Sequence, residues 1–252
     1  MPIGFILCWV VQFVGIKTTN KELFHAVLCK RYKTFATKGN FNNHLGVPLS
    51  LLSIPKNSEL AIIEMGANHQ KEISLLSSIC EPTIGYITNF GKAHLEGFGG
   101  LNGVIKGKSE LYTYLKENNK ISFVNVNDAI QVQLTTNLNS VLLNNTIATS
   151  AIQPFLAVKY KDQVIDTHLV GAYNVDNLKA AISIGEYFTI SQKNIISAIK
   201  NYIPTNNRSQ IIKKKNNTIL MDAYNSNPSS TMVALDNLNK TILQKKTVIL
   251  GD

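Results

Sequence analysis

The sequence predicts an α/β fold, in which a mostly parallel sheet carries helices on both faces and is followed by the start of a second α/β unit. Short apolar runs such as residues 60–63 and 84–87 alternate with helical patterns through the first two thirds of the chain. Glu64 and Asn89 lie at or just beyond the ends of those runs. Buried parallel strands typically appear as apolar runs, and ligand chemistry collects at their carboxyl ends. A composition of 44% hydrophobic and 16% charged residues is that of a globular protein.

The elements of the first part follow from the spacing of the apolar residues. Apolar side chains three and four apart predict helices, and short continuous runs predict strands. The predicted strands or extended pieces are residues 5–14, 33–36, 60–63, 84–88 and 121–125, and the predicted helices are residues 19–31, 47–52, 73–79 and 104–116. This alternation is typical of a parallel sheet covered by crossover helices.

The pattern changes after about residue 130. Residues 155–160 and 164–169 flank Lys161-Asp162 and predict a β-hairpin. The remaining predictions are helices over 174–188 and 192–201, a linker at 204–207, a hairpin over 211–221, a helix over 230–239 and a last strand over 247–250. We therefore expect one domain over residues 1–207 and the beginning of a second, cut short, over residues 208–252.

The chain is basic, with 25 Lys and Arg against 16 Asp and Glu, a net charge of +9 and a pI near 9.4. An excess of this kind can indicate nucleic-acid binding. The basic residues are dispersed, however, and their densest cluster is the three lysines at 213–215. Anionic small substrates such as nucleotides explain the charge equally well, so we expect no nucleic-acid partner.

Cysteine usage and the N-terminal run bear on compartment. Cys8, Cys29 and Cys80 lie in apolar contexts without metal-binding spacing, and we expect buried thiols in a reducing compartment. The apolar run at residues 3–14 is too short to span a bilayer. It also lacks the basic region and cleavage site of a signal peptide. These features predict a cytoplasmic protein with no membrane partner.

Two segments place ionisable groups after apolar runs. They are Glu64-Met-Gly-Ala-Asn-His-Gln70 and Asn89-Phe-Gly-Lys-Ala-His94-Leu-Glu-Gly-Phe-Gly99. A carboxylate and an imidazole at two strand ends, beside Gly-rich turns, suit a cation that carries phosphate. The alternative is that Glu64 and His94 are surface residues of ordinary βα loops.

Five ordered segments of the chain form a specific pattern. They are Ala-Thr-Lys-Gly-Asn-Phe-Asn-Asn-His-Leu-Gly-Val-Pro (36–48), Ile-Glu-Met-Gly-Ala-Asn-His-Gln (63–70), Ala-His-Leu-Glu-Gly-Phe-Gly (93–99), Gly-Val-Ile-Lys-Gly-Lys-Ser-Glu-Leu (103–111) and Asp-Ala-Tyr-Asn-Ser-Asn-Pro (222–228). Any one of them alone would be weak, whereas their combination and order are specific. Together they resemble the Mur ligase family, and within it the branch that adds D-alanyl-D-alanine.

The resemblance implies a P-loop-type central ATP-binding domain over residues 1–207 and a truncated C-terminal ligase domain over 208–252, with no N-terminal UDP-sugar domain. It implies ATP-dependent amide formation through an acyl phosphate, with ATP and Mg²⁺ as cofactors. The implied substrates are UDP-N-acetylmuramoyl-tripeptide and D-alanyl-D-alanine, and the protein is expected to be a monomer. Two alternatives remain open: a catalytically dead nucleotide- or peptide-binding remnant, and a related amide ligase of the folylpolyglutamate or cyanophycin synthetase type.

The resemblance also assigns metal and catalytic residues. The implied metal ligands are Thr18, Glu64, His94 and Lys108, with Lys108 as a carbamate. Imidazole is an unusual ligand for Mg²⁺, so His94 rests on the resemblance alone. Lys108 and His94 are also implied catalytic residues, and a solvated helix lysine like Lys106 is the alternative interpretation of Lys108.

Asn42 and Asn43 are implied near the acyl-phosphate site, where amides can hold a phosphate oxygen. Simple turn chemistry is the alternative for both, because Asn tolerates αL and caps helices. The implied nucleotide contacts are Lys17, Thr18, Thr19, Asn174, Arg208, Asp222 and Asn225. Asn174 and Asn177 open one predicted helix, and helix capping is the alternative for Asn174.

One segment departs from the family pattern. The family's phosphate loop contains Gly-x-x-Gly-Lys-Thr-Thr, whereas this chain has Phe13-Val-Gly-Ile-Lys17-Thr-Thr. Lys17 and Thr18 keep a cation for phosphates and a hydroxyl for magnesium. Phe13 and Ile16 replace the two glycines, which allow close backbone approach and positive φ angles. Gly15 lies one position before Ile16 and so does not stand at either glycine position of the family. We therefore expect weakened ATP binding.

Overall fold

A computed structural model describes residues 9–14, 17–91, 94–152, 155–205, 207, 210–222, 228–240 and 245–250. Its centre is a sheet of six strands: β1 (Trp9–Val14), β2 (Thr34–Ala36), β3 (Leu60–Glu64), β4 (Ile84–Ile87), β5 (Ile121–Val124) and β6 (Asn139–Leu142). They lie in the order β2-β3-β1-β4-β5-β6, and every neighbouring pair is parallel. The predicted parallel sheet is confirmed.

Helices and two smaller sheets complete the described part of the chain. An antiparallel sheet contains β7 (Ala148–Ala151), β8 (Ala157–Tyr160) and β9 (Gln163–Asp166), and a separate hairpin contains β10 (Gln210–Lys214) and β11 (Asn217–Met221). The helices are α1 (Lys17–Leu28), α2 (Gly46–Leu52), α3 (Glu72–Cys80), α4 (Leu95–Phe98), α5 (Leu101–Glu117), α6 (Ala129–Leu134), α7 (Asn174–Tyr187), α8 (Gln192–Asn201) and α9 (Pro228–Lys240).

Helices cover both faces of the large sheet, as predicted. Along β3, Leu60 and Ile62 join a core with α1, α7 and α8, whereas Ala61 and Ile63 join a core with α3 and α5. Successive side chains of a strand point to opposite faces, so a strand that is apolar throughout is buried on both. Burying each Leu or Ile side chain contributes roughly 1.5–3 kcal/mol, which explains why an unbroken apolar run forms this strand.

The strand order brings three carboxyl ends together. Phe13 of β1 pairs with Glu64 of β3, and Val14 pairs with Ile87 of β4. After β1 the chain builds strands on one side of it and then, from β4 onward, on the other. Open α/β sheets bind ligands at such a reversal of strand order, beyond the carboxyl ends. The fold therefore positions its site at the ends of β1, β3 and β4.

Several elements differ from the prediction. Helix α6 and strands β6 and β7 were not expected; β7 is exposed along its length and β6 mostly so, and neither carries a buried apolar run. The predicted strand over 247–250 is wrong, because residues 245–250 form no strand. Their apolar side chains are exposed, including Ile249, so no burial within the described structure favours a strand.

The cysteine prediction is corrected in part. Cys80 is buried, but Cys29 is exposed because it follows the last turn of α1 beside the charged residues Lys30 and Arg31. Cys8 lies outside the described residues. Among the helices of the described part of the chain, none is both long and apolar enough to cross a bilayer. The domain division at residue 207 stays a prediction.

Candidate active site

Glu64 is the last residue of β3 and is buried at the carboxyl edge of the sheet, 2% exposed. The Nδ2 of Asn42 donates to its Oε1 at 2.8 Å. The Nζ of Lys21 lies 3.2 Å from its Oε2 as an ion pair. That Oε2 accepts no hydrogen bond of good geometry from the described residues. The carboxylate is thus fixed in place while one oxygen keeps lone pairs for a further partner.

Lys21 is the partner of Glu64 that the sequence reasoning missed. It lies on α1, is 4% exposed, and its Nζ also donates to the carbonyl oxygen of Gly39 at 2.8 Å. A buried ammonium group is costly unless it is paired and hydrogen-bonded, and both conditions are met here. The available signal was its spacing: Lys21 follows Lys17 by four residues and shares its helix face.

The two asparagines of the Asn-rich loop have different environments. Asn42 reaches Glu64 with its side chain, and its carbonyl oxygen accepts from the N–H of Gly66 at 2.6 Å. The Oδ1 of Asn43 accepts from the N–H groups of Leu45 and Gly46, where α2 begins. Turn chemistry therefore describes what Asn43 does in this structure, and Asn42 faces the site.

The segments of Glu64 and His94 pack against each other. The Nε2 of Gln70 donates to the carbonyl oxygen of Phe98 at 3.1 Å. A Cβ on Gly97 would lie 2.4 Å from the carbonyl oxygen of Asn68, so only glycine allows this approach. The Oε2 of Glu72 accepts from the N–H groups of Asn68 and His69, which fixes the first segment.

His94 directly precedes α4 in a left-handed conformation, with φ of 57°, and its side chain is exposed. Its carbonyl oxygen accepts from the N–H of Phe98, which starts the short helix. Within the described residues, no group of three or more His, Cys, Asp or Glu side chains is arranged to hold a metal ion. The role of His94 as a metal ligand therefore stays a prediction.

Lys108 and Lys106 lie on α5 in opposite environments. Lys108 is buried, and its Nζ donates to the carbonyl oxygen of Asn89, in the loop after β4, at 2.9 Å. Lys106 is exposed. Helix α5 comes close to α4 because Gly107 contacts the ring of Phe98, where a Cβ would approach to 2.5 Å. The helix thus holds Lys108 under the loop that leads to His94.

Helix α1 starts at the same edge of the sheet as Glu64, because β1, which precedes it, pairs with β3. Strand β1 ends at Val14 and α1 begins at Lys17. Thr18 and Thr19 are buried in the first turn. A helix N-terminus favours anions such as phosphate. Ile16 and the side chains of Phe13 and Lys17 lie outside the described parts.

Buried amides tie α1 to α7. The Nδ2 of Asn20 donates to Oδ1 of Asn177 at 2.7 Å, and the Nδ2 of Asn177 donates to Oδ1 of Asn174 at 2.7 Å. The Nδ2 of Asn174 donates to the carbonyl oxygen of Val170 at 2.8 Å. Asn174 is thus engaged inside the protein and does not cap α7, which Tyr173 precedes. A nucleotide contact by Asn174 stays a prediction.

Of the other predicted nucleotide contacts, Asp222 directly follows β11 and is exposed. Arg208 and Asn225 lie outside the described residues.

Comparison with known proteins identifies the family. The profile of the Mur ligase middle domain matches residues 17–185. The chain is 32% identical over 246 residues to UDP-N-acetylmuramoyl-tripeptide–D-alanyl-D-alanine ligase of Bacillus subtilis (strain 168), a match that covers 94% of this chain and 54% of that protein.

Solved structures show the same fold. MurF from Acinetobacter baumannii superposes with a TM-score of 0.82 at 27% identity, covering 94% of this chain and 55% of that one. MurF ligase from Thermotoga maritima in complex with ADP superposes with a TM-score of 0.76 at 24% identity, covering 92% and 57%. The chain therefore spans about half the length of the relatives it matches. By its profile match and these likenesses, the chain belongs to the Mur ligase family.

Proposed function

We propose that this chain carries the central part of an ATP-dependent ligase that adds D-alanyl-D-alanine to a UDP-N-acetylmuramoyl-tripeptide, working as a monomer in the cytoplasm. The observation that carries the proposal is the buried Glu64 carboxylate at the carboxyl edge of the sheet, beside the start of α1. The Bacillus subtilis relative bears the name of this activity, and the Thermotoga maritima neighbour holds ADP.

The donor set around Glu64 fits a magnesium ion that arrives with phosphates. Mg²⁺ prefers oxygen ligands and usually takes only one or two carboxylates, keeping water and phosphate oxygens as the rest. Glu64 Oε2 has remaining lone pairs, and the Thr18 hydroxyl lies in the first turn of α1. When bound, the cation neutralises charge that develops on the transferred phosphoryl group.

The protein's own residues position the reactants. The N-terminus of α1 and the Lys17 ammonium attract the phosphates, as helix N-termini and phosphate-binding lysines do. Asn42 holds Glu64 and presents the Asn-rich loop to the site. The Nζ of Lys108 would keep one N–H for Asn89 after carbamylation, and the added carboxylate would supply a further oxygen for a cation. Positioning and electrostatics provide most of the catalysis in phosphoryl transfer.

A second candidate is a remnant that binds nucleotide or peptide without turnover. It is favoured by Phe13 and Ile16, which stand at positions where the family has glycine. Losing backbone donors to a charged phosphate costs about 1.5–3 kcal/mol for each bond.

Calorimetric titration of the 252-residue chain with Mg²⁺-ATP tests the proposal. We expect the unmodified chain to bind Mg²⁺-ATP, and Glu64→Gln to weaken this binding by about tenfold or more, because the carboxylate charge is lost. Glu96→Gln is the matched control, since Glu96 is an exposed carboxylate on α4 and should not matter. An unmodified chain that gives no heat with Mg²⁺-ATP would contradict the ligase proposal and favour a remnant that holds peptide alone.

A further inference from the structure

Lys21 is a buried cation at the candidate site that the proposed reaction does not use. Its side chain is 5% exposed and faces a Glu64 side chain that is 3% exposed, with 3.2 Å between Nζ and Oε2. Its second contact, to the carbonyl oxygen of Gly39, fixes the ammonium between α1 and the Asn-rich loop. Two elements thus hold one positive charge against the carboxylate.

The ammonium of Lys21 lies beside the oxygen of Glu64 that still has lone pairs for a further partner. Oε1 accepts from Asn42, so Oε2 is the oxygen toward which a divalent cation would be drawn. In a site shielded from water, a positive charge this close opposes the entry of a second cation strongly, because screening is weak there. A free divalent ion therefore meets a carboxylate that is already neutralised.

Nucleotide phosphates change that balance. They bring several negative charges, which offset both the ammonium and the incoming cation at the same edge of the sheet. We propose that Lys21 is a positioning residue that keeps Glu64 from taking a divalent cation in the free protein, so that the cation binds there only together with a nucleotide. This inference rests on the proposed nucleotide site.

The test measures the binding of Mn²⁺ alone to the full chain. Binding is monitored by the loss of the electron paramagnetic resonance signal of unbound Mn²⁺. Lys21→Gln removes the charge and keeps a donor for the Gly39 carbonyl. We expect weak binding to the unmodified chain and binding tighter by about tenfold or more in Lys21→Gln, because one opposing charge is gone. Lys21→Arg keeps the charge and should behave as the unmodified chain does.

The double variant Lys21→Gln/Glu64→Gln locates the effect. If the tighter Mn²⁺ binding of Lys21→Gln is lost in the double variant, the cation is bound by Glu64, as proposed. If Lys21 only supported the fold, Lys21→Gln would weaken Mn²⁺ binding or leave it unchanged. Binding unchanged or weaker in Lys21→Gln, or a gain that survives Glu64→Gln, would overturn the inference.

If circular dichroism shows that Lys21→Gln does not fold, a second test compares the unmodified chain with Glu64→Gln, with and without ADP. The inference is supported if Glu64→Gln weakens Mn²⁺ binding only when ADP is present. It is overturned if the unmodified chain binds Mn²⁺ without nucleotide and Glu64→Gln abolishes that binding. Because Mn²⁺ alone is the probe in the main test, its result is distinguishable from a failure of the ligase proposal, which the Mg²⁺-ATP titration reports.

Discussion

At the scale of single residues, one carboxylate is held by two neighbours of different chemistry. Asn42 donates to one oxygen of Glu64, and Lys21 places a positive charge beside the other. Buried ion pairs are often close to neutral for stability, but removing one partner leaves an uncompensated charge. The arrangement is therefore better understood as fixing the position and charge of Glu64 than as strengthening the fold.

The two lysines of α5 provide a matched pair for testing a site role. Lys108→Ala removes a buried group that contacts Asn89, whereas Lys106→Ala removes an exposed one. We expect Lys108→Ala to weaken Mg²⁺-dependent nucleotide binding by about tenfold or more, since one charged contact is worth about 1.5–3 kcal/mol. Calorimetry measures this, and added bicarbonate should not restore binding. An equal loss in Lys106→Ala would show that the wrong lysine was assigned.

At the scale of elements, short polar and glycine contacts fix the segments around the site. Glu72 illustrates this: burial raises the pKa of its carboxyl group, but the N–H groups of Asn68 and His69 and the imidazole of His69 together outweigh burial, and the pKa is lowered. A lowered pKa means that folding favours the ionised form. The first turn of α3 therefore stabilises the segment that follows β3.

This shift predicts a pH dependence of stability. The contribution of Glu72 is fully present above its ordinary pKa of 4.5 and is lost as the pH falls through the lower folded value. Glu72→Gln should therefore lower the melting temperature at neutral pH and make a smaller difference at pH values well below that range. Thermal unfolding at the two pH values measures the difference. A difference that stays equal or grows in acid would contradict the assignment.

Gly103 controls how closely α5 follows α4. A Cβ at this position would lie 1.8 Å from the carbonyl oxygen of Phe98, which is backbone and cannot move aside cheaply. Gly103→Ala should destabilise the protein by about 1–3 kcal/mol, the usual cost of overpacking. Urea unfolding measures it, with Asn102→Ala as the control, because Asn102 is exposed on the same helix. Equal stability of both variants would refute the close-packing argument.

At the scale of the whole molecule, much of the architecture could be predicted from the sequence. Strands such as β3 and β4 are buried on both faces, and their unbroken apolar runs identify them. Strands β6 and β7 could not be found in this way, because tertiary pairing and not an apolar run forms them. At the site, Glu64 and Lys108 were predicted as ligands by resemblance, but Lys21 was missed because a lysine on a helix usually lies in solvent.

The replacement of two phosphate-loop glycines by Phe13 and Ile16 can be tested by substitution. Restoring glycine with Phe13→Gly/Ile16→Gly should tighten ATP binding by about tenfold or more, because backbone donors worth about 1.5–3 kcal/mol each can then approach the phosphates. Phe13→Ala/Ile16→Ala is the control, since it removes the same side chains without allowing positive φ. Calorimetry compares the two, with circular dichroism to check folding. Equal affinities would show that glycine is not what the loop lacks.

Phosphates and a cation should bind at the carboxyl edge of the sheet beside Glu64. A crystal structure of the chain grown with Mg²⁺ and ADP tests this placement. We expect the diphosphate at the start of α1 and a Glu64 oxygen within the ~2.0–2.1 Å sphere of the magnesium ion or bonded to one of its waters. ADP bound elsewhere, or absent while Glu64 still contacts Lys21 and Asn42 as before, would contradict the proposed site.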